Sequence, residues 1–286
     1  MERTGDVQSV SRALDLLTRL GSSDEGQRLS ELARAAGLAV STAHRLLTTM
    51  QQAGFVNFDP VRSEWHVGRE AFAVGAAYVQ RRDFVAPAMV FLRRLRDESR
   101  ETTNLGILED GQLVTLAQVE SREITRAISP PGGRVAATCS AMGKALLATW
   151  NDEQIAVFCK RNGFRKLTPN SHRTLASLMA DIKTIRKRGF AIDDEEHVVG
   201  LRCVAAVVCS PQSDAICAFS VSGLANRLSV ARATPSLPGG NWRRKPACAE
   251  RSKRCVVPHL QLRFVFVMPD RDAPQNQGAR PGPPWR

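Results

Sequence analysis

The chain has 286 residues, room for about two domains at roughly 100–200 residues each, and its 43% hydrophobic and 24% charged content excludes whole-chain disorder. Net charge is +12, but residues 227–286 hold 12 Lys and Arg against 3 Asp and Glu and nine of the fifteen prolines, so only +3 belongs to residues 1–226 and basic composition is no argument for nucleic-acid binding there. No apolar run approaches the roughly 18 residues of a membrane span, and MERTGDVQSV lacks a signal peptide's apolar core, so a cytoplasmic chain with no membrane partner is expected.

In VQSVSRALDLLTRL, Val7, Val10, Leu14, Leu17 and Leu20 recur at spacings of three and four, one apolar stripe of a helix that GSSDEG ends. In LSELARAAG, Ser30 suits an N-cap, Leu32, Ala33 and Ala36 form a short buried face, and Gly37 stops the helix after two turns. The next helix turns Val40, Ala43, Leu47 and Met50 inward and closes at Gly54. Two short helices around a tight glycine turn predict a helix-turn-helix. Away from its apolar stripe the second helix carries Ser41, Thr42, His44, Arg45 and Thr48: short hydroxyl donors and one guanidinium able to contact guanine or phosphate. FVNF and EWHV flank DPVRS and predict a hairpin wing with Arg62 at or near its tip. A generic helical hairpin with a solvated polar face is the alternative, and the wing weighs against it.

Further along, GREAFAVGAAYVQRR suits a linker helix and DFVAPAMVFLRRLRDES a second amphipathic helix. TTNLGILEDGQLVTLAQVES predicts a β-hairpin turning at Asp110-Gly111, Ser140 can cap AMGKALLATW, and LASLMADIKTIRKR runs to a Gly189 cap. RCVAAVVCS and AICAFSVSG are strand-like and separated by PQSD. Helices and strands mixed without strict alternation predict an α+β domain with an antiparallel sheet.

Together SVSRALDLL, STAHRLL, SAMGKALLA, GFAIDDEEHVVGLRCVAA and SVSG make the chain resemble the IclR family of bacterial transcriptional regulators from about residue 7 to about residue 229. The resemblance implies a winged helix-turn-helix at 1–67, a linker helix at 68–82 and a GAF-like effector-binding domain at 83–229. It also implies a regulator, a repressor of a catabolic operon above all, binding double-stranded operator DNA as a homodimer or dimer of dimers under a small organic-acid effector. Effector-contacting roles fall on Ile124, Ala141, Met142, Asp193, Leu201, Cys203, Ser220 and Ser222.

Chemistry on those residues is consistent with an acid. A helix starting Ser-Ala-Met-Gly leaves first-turn N–H groups that can hold a carboxylate, and Ser220 and Ser222 share one face of a strand. Taken alone, Cys203 reads first as a small core residue and Asp193, Asp194, Glu195 and Glu196 as a solvated turn. With His197 and Cys203 the acidic run fits no standard ligand spacing. Seven cysteines without a CxxC pair argue against disulfides and structural zinc, and no metal or other cofactor is expected. Nor is an enzyme: Lys144 is followed by Ala145 rather than the Ser or Thr of a P-loop, no GxSxG elbow occurs, and the five histidines form no nucleophile–base pattern.

After ANRLSVARA the family pattern stops. Pro235, Pro238, Pro246 and Pro258 forbid a long helix, so residues 230–286 are expected to be a disordered basic tail. A shifted reading frame near residue 230 accounts for the change, and the alternative is a basic appendage that clings to phosphates; either way the sensor is expected to lack its last helix, and a damaged sensor or interaction module is the alternative function.

Overall fold

The structure is a computed structural model that describes residues 7–23, 25–121, 130–209 and 215–228. Ile124, the PQSD segment and the basic tail lie outside the described residues. Contacts divide the chain into one unit ending at Asp83 and a second beginning at Phe84.

The first unit comprises α1 (Gln8–Gly21), β1 (Gln27–Arg28), α2 (Leu29–Ala35), α3 (Val40–Gln52), β2 (Val56–Asp59), β3 (Glu64–Val67) and α4 (Arg69–Gln80). Its core joins Leu16, Leu20, Leu32, Ala33, Ala43, Leu47, Val56 and Trp65, and burying each leucine contributes about 1.5–3 kcal/mol. Gly37 sits at φ +64° between α2 and α3, a left-handed turn that lets the Leu38 N–H reach the Ala33 carbonyl at 2.8 Å. The wing strands β2 and β3 pair antiparallel, and β1 adds a third strand beside β3 that the sequence did not suggest.

Three expectations change here. Ser30 does not cap α2: the helix already includes Leu29, Arg28 takes the cap position without a side-chain bond, and Ser30 is exposed. On α1 the core takes Leu16 and Leu20, while Val7, Val10 and Leu14 face outward. Val40, at the first turn of α3, is also exposed, because the helix meets the core only from Ala43 onward.

The second unit opens with α5 (Val85–Ser99), β4 (Thr102–Glu109), β5 (Gln112–Val119), β6 (Arg134–Ala136) and a 3-10 turn at Ala137–Cys139. It continues with α6 (Ala141–Leu147), α7 (Asp152–Asn162), α8 (Leu175–Arg188), β7 (Ala191–Asp194), β8 (Leu201–Cys209) and β9 (Ala215–Leu224). The strands form one antiparallel sheet in the order β6-β5-β4-β9-β8-β7. Asp110 (φ +48°) and Gly111 (φ +79°) make the turn of the β4–β5 hairpin, the paired left-handed conformation that suits strand twist. Packing of α5 covers one sheet face, pinned by the Thr103 hydroxyl on the Leu92 carbonyl at 2.9 Å. Against the other face lies α6, with α8 beyond it. Among the described residues no helix is long and apolar enough to cross a membrane.

Candidate nucleic-acid interface and effector site

On α3, Ser41, His44 and Arg45 are exposed and Thr42 and Thr48 half-buried, all on the side away from Ala43 and Leu47. No side chain caps this helix and no acidic residue occupies its first turn, so the positive end of its dipole is open to a phosphate. His44 packs edge-on to Trp65 of the wing, ring centroids 6.5 Å apart, which joins the helix to the hairpin. Between β2 and β3, Asp59 Oδ1 accepts the N–H groups of Val61 (2.8 Å) and Arg62 (3.3 Å), and those bonds hold its carboxyl below the usual range. This Asx turn fixes the exposed Arg62 at the tip.

In the second unit, sheet register assembles the other candidate residues. Asp193 lies opposite Cys203, Cys203 opposite Ser222, and Ser222 opposite Thr102. On the neighbouring rung Ala205 faces Ser220 and Ser220 faces Asn104. Leu201 shares the face of Cys203 by the two-residue period. Ala141 and Met142, at the start of α6, belong to the apolar cluster that Cys203 flanks. Asp193, Leu201, Ser220, Ala141 and Met142 are buried; Cys203 and Ser222 are half-buried. Ser140 caps α6 by accepting the Gly143 N–H at 3.4 Å. That bond and a length of seven residues leave this helix start a weaker anion holder than its sequence suggested.

The acidic run is not a solvated turn. Asp193 and Glu196 are 3% and 6% exposed. Asp193 Oδ1 accepts the backbone N–H of Glu196 at 2.8 Å and of His197 at 3.3 Å. Burial, with the Glu196 charge beside it, nevertheless pushes its carboxyl up to about 7. Burial and the Asp193 carboxylate likewise raise the Cys203 thiol, so it stays protonated.

Beside this patch stands a buried charge cluster that no motif announced. The Lys144 side chain is wholly buried, its ammonium bonded to Asp181 Oδ2 at 2.6 Å and to Glu196 Oε1. His172 Nε2 approaches both carboxylates at 3.5 and 3.6 Å, and Arg188 reaches Asp181 at 3.7 Å. Burial would raise Asp181, but the close approach of His172 and the Lys144 and Arg188 charges outweigh it and hold it at about 2. Glu196 goes the other way, because burial exceeds what Lys144 returns. Among the described residues His172, Asp181 and Glu196 are a trio with metal-ligand geometry, and the Lys144 ammonium already supplies the cation there. Asn104 and Gln118 were also missed. Asn104 donates to both Ser220 (3.2 Å) and Ser222 (3.1 Å), and nothing in TTNLGILE sets it apart from the threonines beside it.

Comparison with known proteins supplies the family. The IclR helix-turn-helix domain matches residues 9–60, and the domain described as bacterial transcriptional regulator IclR C-terminal matches residues 76–238. The acetate operon repressor of Salmonella typhimurium is 41% identical over 236 residues, covering 81% of this chain and 85% of that protein. A transcriptional regulator structure from Rhodococcus is 27% identical with a TM-score of 0.66, covering 79% of this chain and 90% of that one. An IclR homologue from Microbacterium hydrocarbonoxydans complexed with 4-hydroxybenzoate shares the fold at 20% identity and a TM-score of 0.64, covering 76% of this chain and 89% of that one. These relatives are transcriptional regulators, not enzymes. By sequence in both units and by fold throughout the matched region, the chain belongs to the IclR family of bacterial transcriptional regulators.

Proposed function

We propose that this chain is a cytoplasmic repressor of a catabolic operon, released from its operator by a small organic acid that binds between α6 and the face of β8 and β9. The observation that carries the reading is the alignment of Asp193, Cys203 and Ser222 on adjacent strands, with Cys203 against the apolar cluster that holds Met142. A relative named acetate operon repressor and a homologue complexed with 4-hydroxybenzoate support the effector class. Ser41, Thr42, His44, Arg45 and Thr48 face the major groove and Arg62 reaches the backbone or minor groove. Since one recognition helix reads too few base pairs, the active form is a homodimer or dimer of dimers. The outward apolar residues Val10 and Leu14 of α1 and Val7 just before it, with Phe72 and Val74 of α4, supply a surface for the second copy.

Fluorescence anisotropy with the chain's own upstream intergenic DNA and a scrambled duplex tests this. Native DNA is expected to bind more tightly, and Arg45→Ala to lower that specific affinity by about 1–3 kcal/mol while leaving scrambled DNA unaffected. An unchanged preference would remove Arg45 from base reading. Operator affinity identical with and without saturating pyruvate, acetate and 4-hydroxybenzoate would count against control by a small acid.

Effector binding carries its own pH signature. Below about 7 Asp193 is neutral and can donate to a carboxylate; above it the ionised group repels one. Calorimetric affinity for a bound acid is therefore expected to strengthen as pH falls from 8 to 6, and Asp193→Asn to flatten the trend. A wild-type affinity constant across that range would exclude Asp193 from the site.

A further inference from the structure

The sheet carries a polar ladder that runs two strands beyond the effector residues, through β4 to β5. Gln118 Nε2 on β5 donates to Asn104 Oδ1 on β4 at 2.8 Å. Asn104 Nδ2 in turn donates to Ser220 Oγ at 3.2 Å and Ser222 Oγ at 3.1 Å on β9. Asn104 and Ser220 are 6% and 2% exposed, so water does not compete for these bonds. Register makes the ladder a property of the fold: Gln118, Asn104 and Ser220 are direct cross-strand neighbours.

A hydroxyl has one proton and two lone pairs. Each serine oxygen here already accepts an amide N–H, so its proton must point elsewhere, toward a ligand or, for Ser222, toward the neighbouring Cys203 Sγ, which a ligand oxygen can replace as the stronger acceptor. We infer that Asn104 sets the hydrogen-bond polarity of the effector site, fixing Ser220 and Ser222 as a pair of donors matched to the two oxygens of a carboxylate, with Gln118 as the residue that positions it. The inference rests on the reading of this patch as the effector site and adds what that site selects. Two hydroxyls free to rotate would serve an acid, an amide or an alcohol alike. Were the Asn104 amide reversed, its oxygen would draw in both serine protons and leave lone pairs facing the ligand, repelling a carboxylate. Gln118 opposes the reversal while its own amide keeps its N–H toward Oδ1, since a reversed Asn104 would set two N–H donors against each other. Asn104 is thus a specificity-determining residue that acts through the serines.

Matched acid and amide probes test it: pyruvate against pyruvamide, and 4-hydroxybenzoate against 4-hydroxybenzamide, titrated into the full chain. Asn104→Leu is expected to weaken acid binding about tenfold and to leave the amide within about twofold, the loss of one charge-assisted hydrogen bond. Gln118→Met, neutral and one strand removed, is expected to weaken acid binding about threefold. Acid and amide affinities falling together in Asn104→Leu, with Gln118→Met inert, would show plain packing and overturn the inference. A readout without ligand separates it from the reading beneath it. The side-chain amide protons of Asn104 are expected to exchange slowly with solvent by NMR, and faster in Ser220→Ala/Ser222→Ala. Fast exchange in the wild type, with acid still bound, would overturn this inference alone. Slow exchange with neither acid bound would overturn the effector reading, and this inference with it.

Discussion

Replacing Lys144 by methionine is expected to lower the unfolding free energy by about 3–5 kcal/mol, the cost of leaving a buried carboxylate without its partner. The lysine stem packs in the interior and methionine nearly matches its volume, so the loss is electrostatic rather than a cavity effect. Of the two carboxylates, Asp181 keeps Arg188 at 3.7 Å, whereas Glu196 is left with His172 at 3.6 Å and the more distant Arg188 charge. Adding Glu196→Gln to Lys144→Met should therefore restore about 1–3 kcal/mol, since an amide needs no counter-charge. A double mutant no more stable than the single would refute this account.

The pH dependence follows with signs fixed by the two carboxyls. Asp181 is held at about 2 against an ordinary 3.8. Its contribution is complete above pH about 4 and disappears as pH falls through 2. Glu196 is raised in the folded state, so protonating it relieves the Lys144→Met variant. The stability deficit of that variant is expected to narrow between pH 8 and pH 5, which urea melts at each pH would show. A deficit that widens on acidification would contradict the sign.

Operator binding should be lost, with folding intact, when Phe72 on α4 becomes aspartate. Phe72 is 78% exposed, so the monomer gives up no core contact. If the dimer covers it, the lost apolar burial is about 3–6 kcal/mol over two copies, on the order of a 10²- to 10⁴-fold rise in the dimer dissociation constant. Ultracentrifugation would then show monomers at micromolar concentration, and anisotropy only weak, half-site binding. A variant that stays dimeric would move the interface away from α4.

α1 shows where sequence reading has a physical limit. Its apolar residues satisfy helical spacing on two faces, Leu16 and Leu20 toward the core and Val7, Val10 and Leu14 away from it. Periodicity reports a face that avoids water without saying what covers it. Local signals fared better where the chemistry is local: the Asp110-Gly111 turn, the Ser140 cap and the Gly189 helix end are where their residue types placed them. The charge cluster was illegible for the opposite reason. Lys144 meets partners 37 and 52 residues away, and nothing in AMGKALL marks a lysine destined for full burial. Asp193 and Glu196 resemble a surface turn until the strand register and the loop that follows bring them inside.

Helix α6 has a mechanical consequence for signalling. At seven residues it is about 10 Å long, too short to contain a hinge, so its ends move together as one lever. Met142 at one end rests on the sheet, while Lys144, less than a turn later, is bolted to α8 through Asp181 and to the loop after β7 through Glu196. Any ligand that lifts Met142 works against those two bonds. With the effector bound where we propose, the stiffness of that switch would be set by the Lys144 ion pairs rather than by the apolar contacts of Met142.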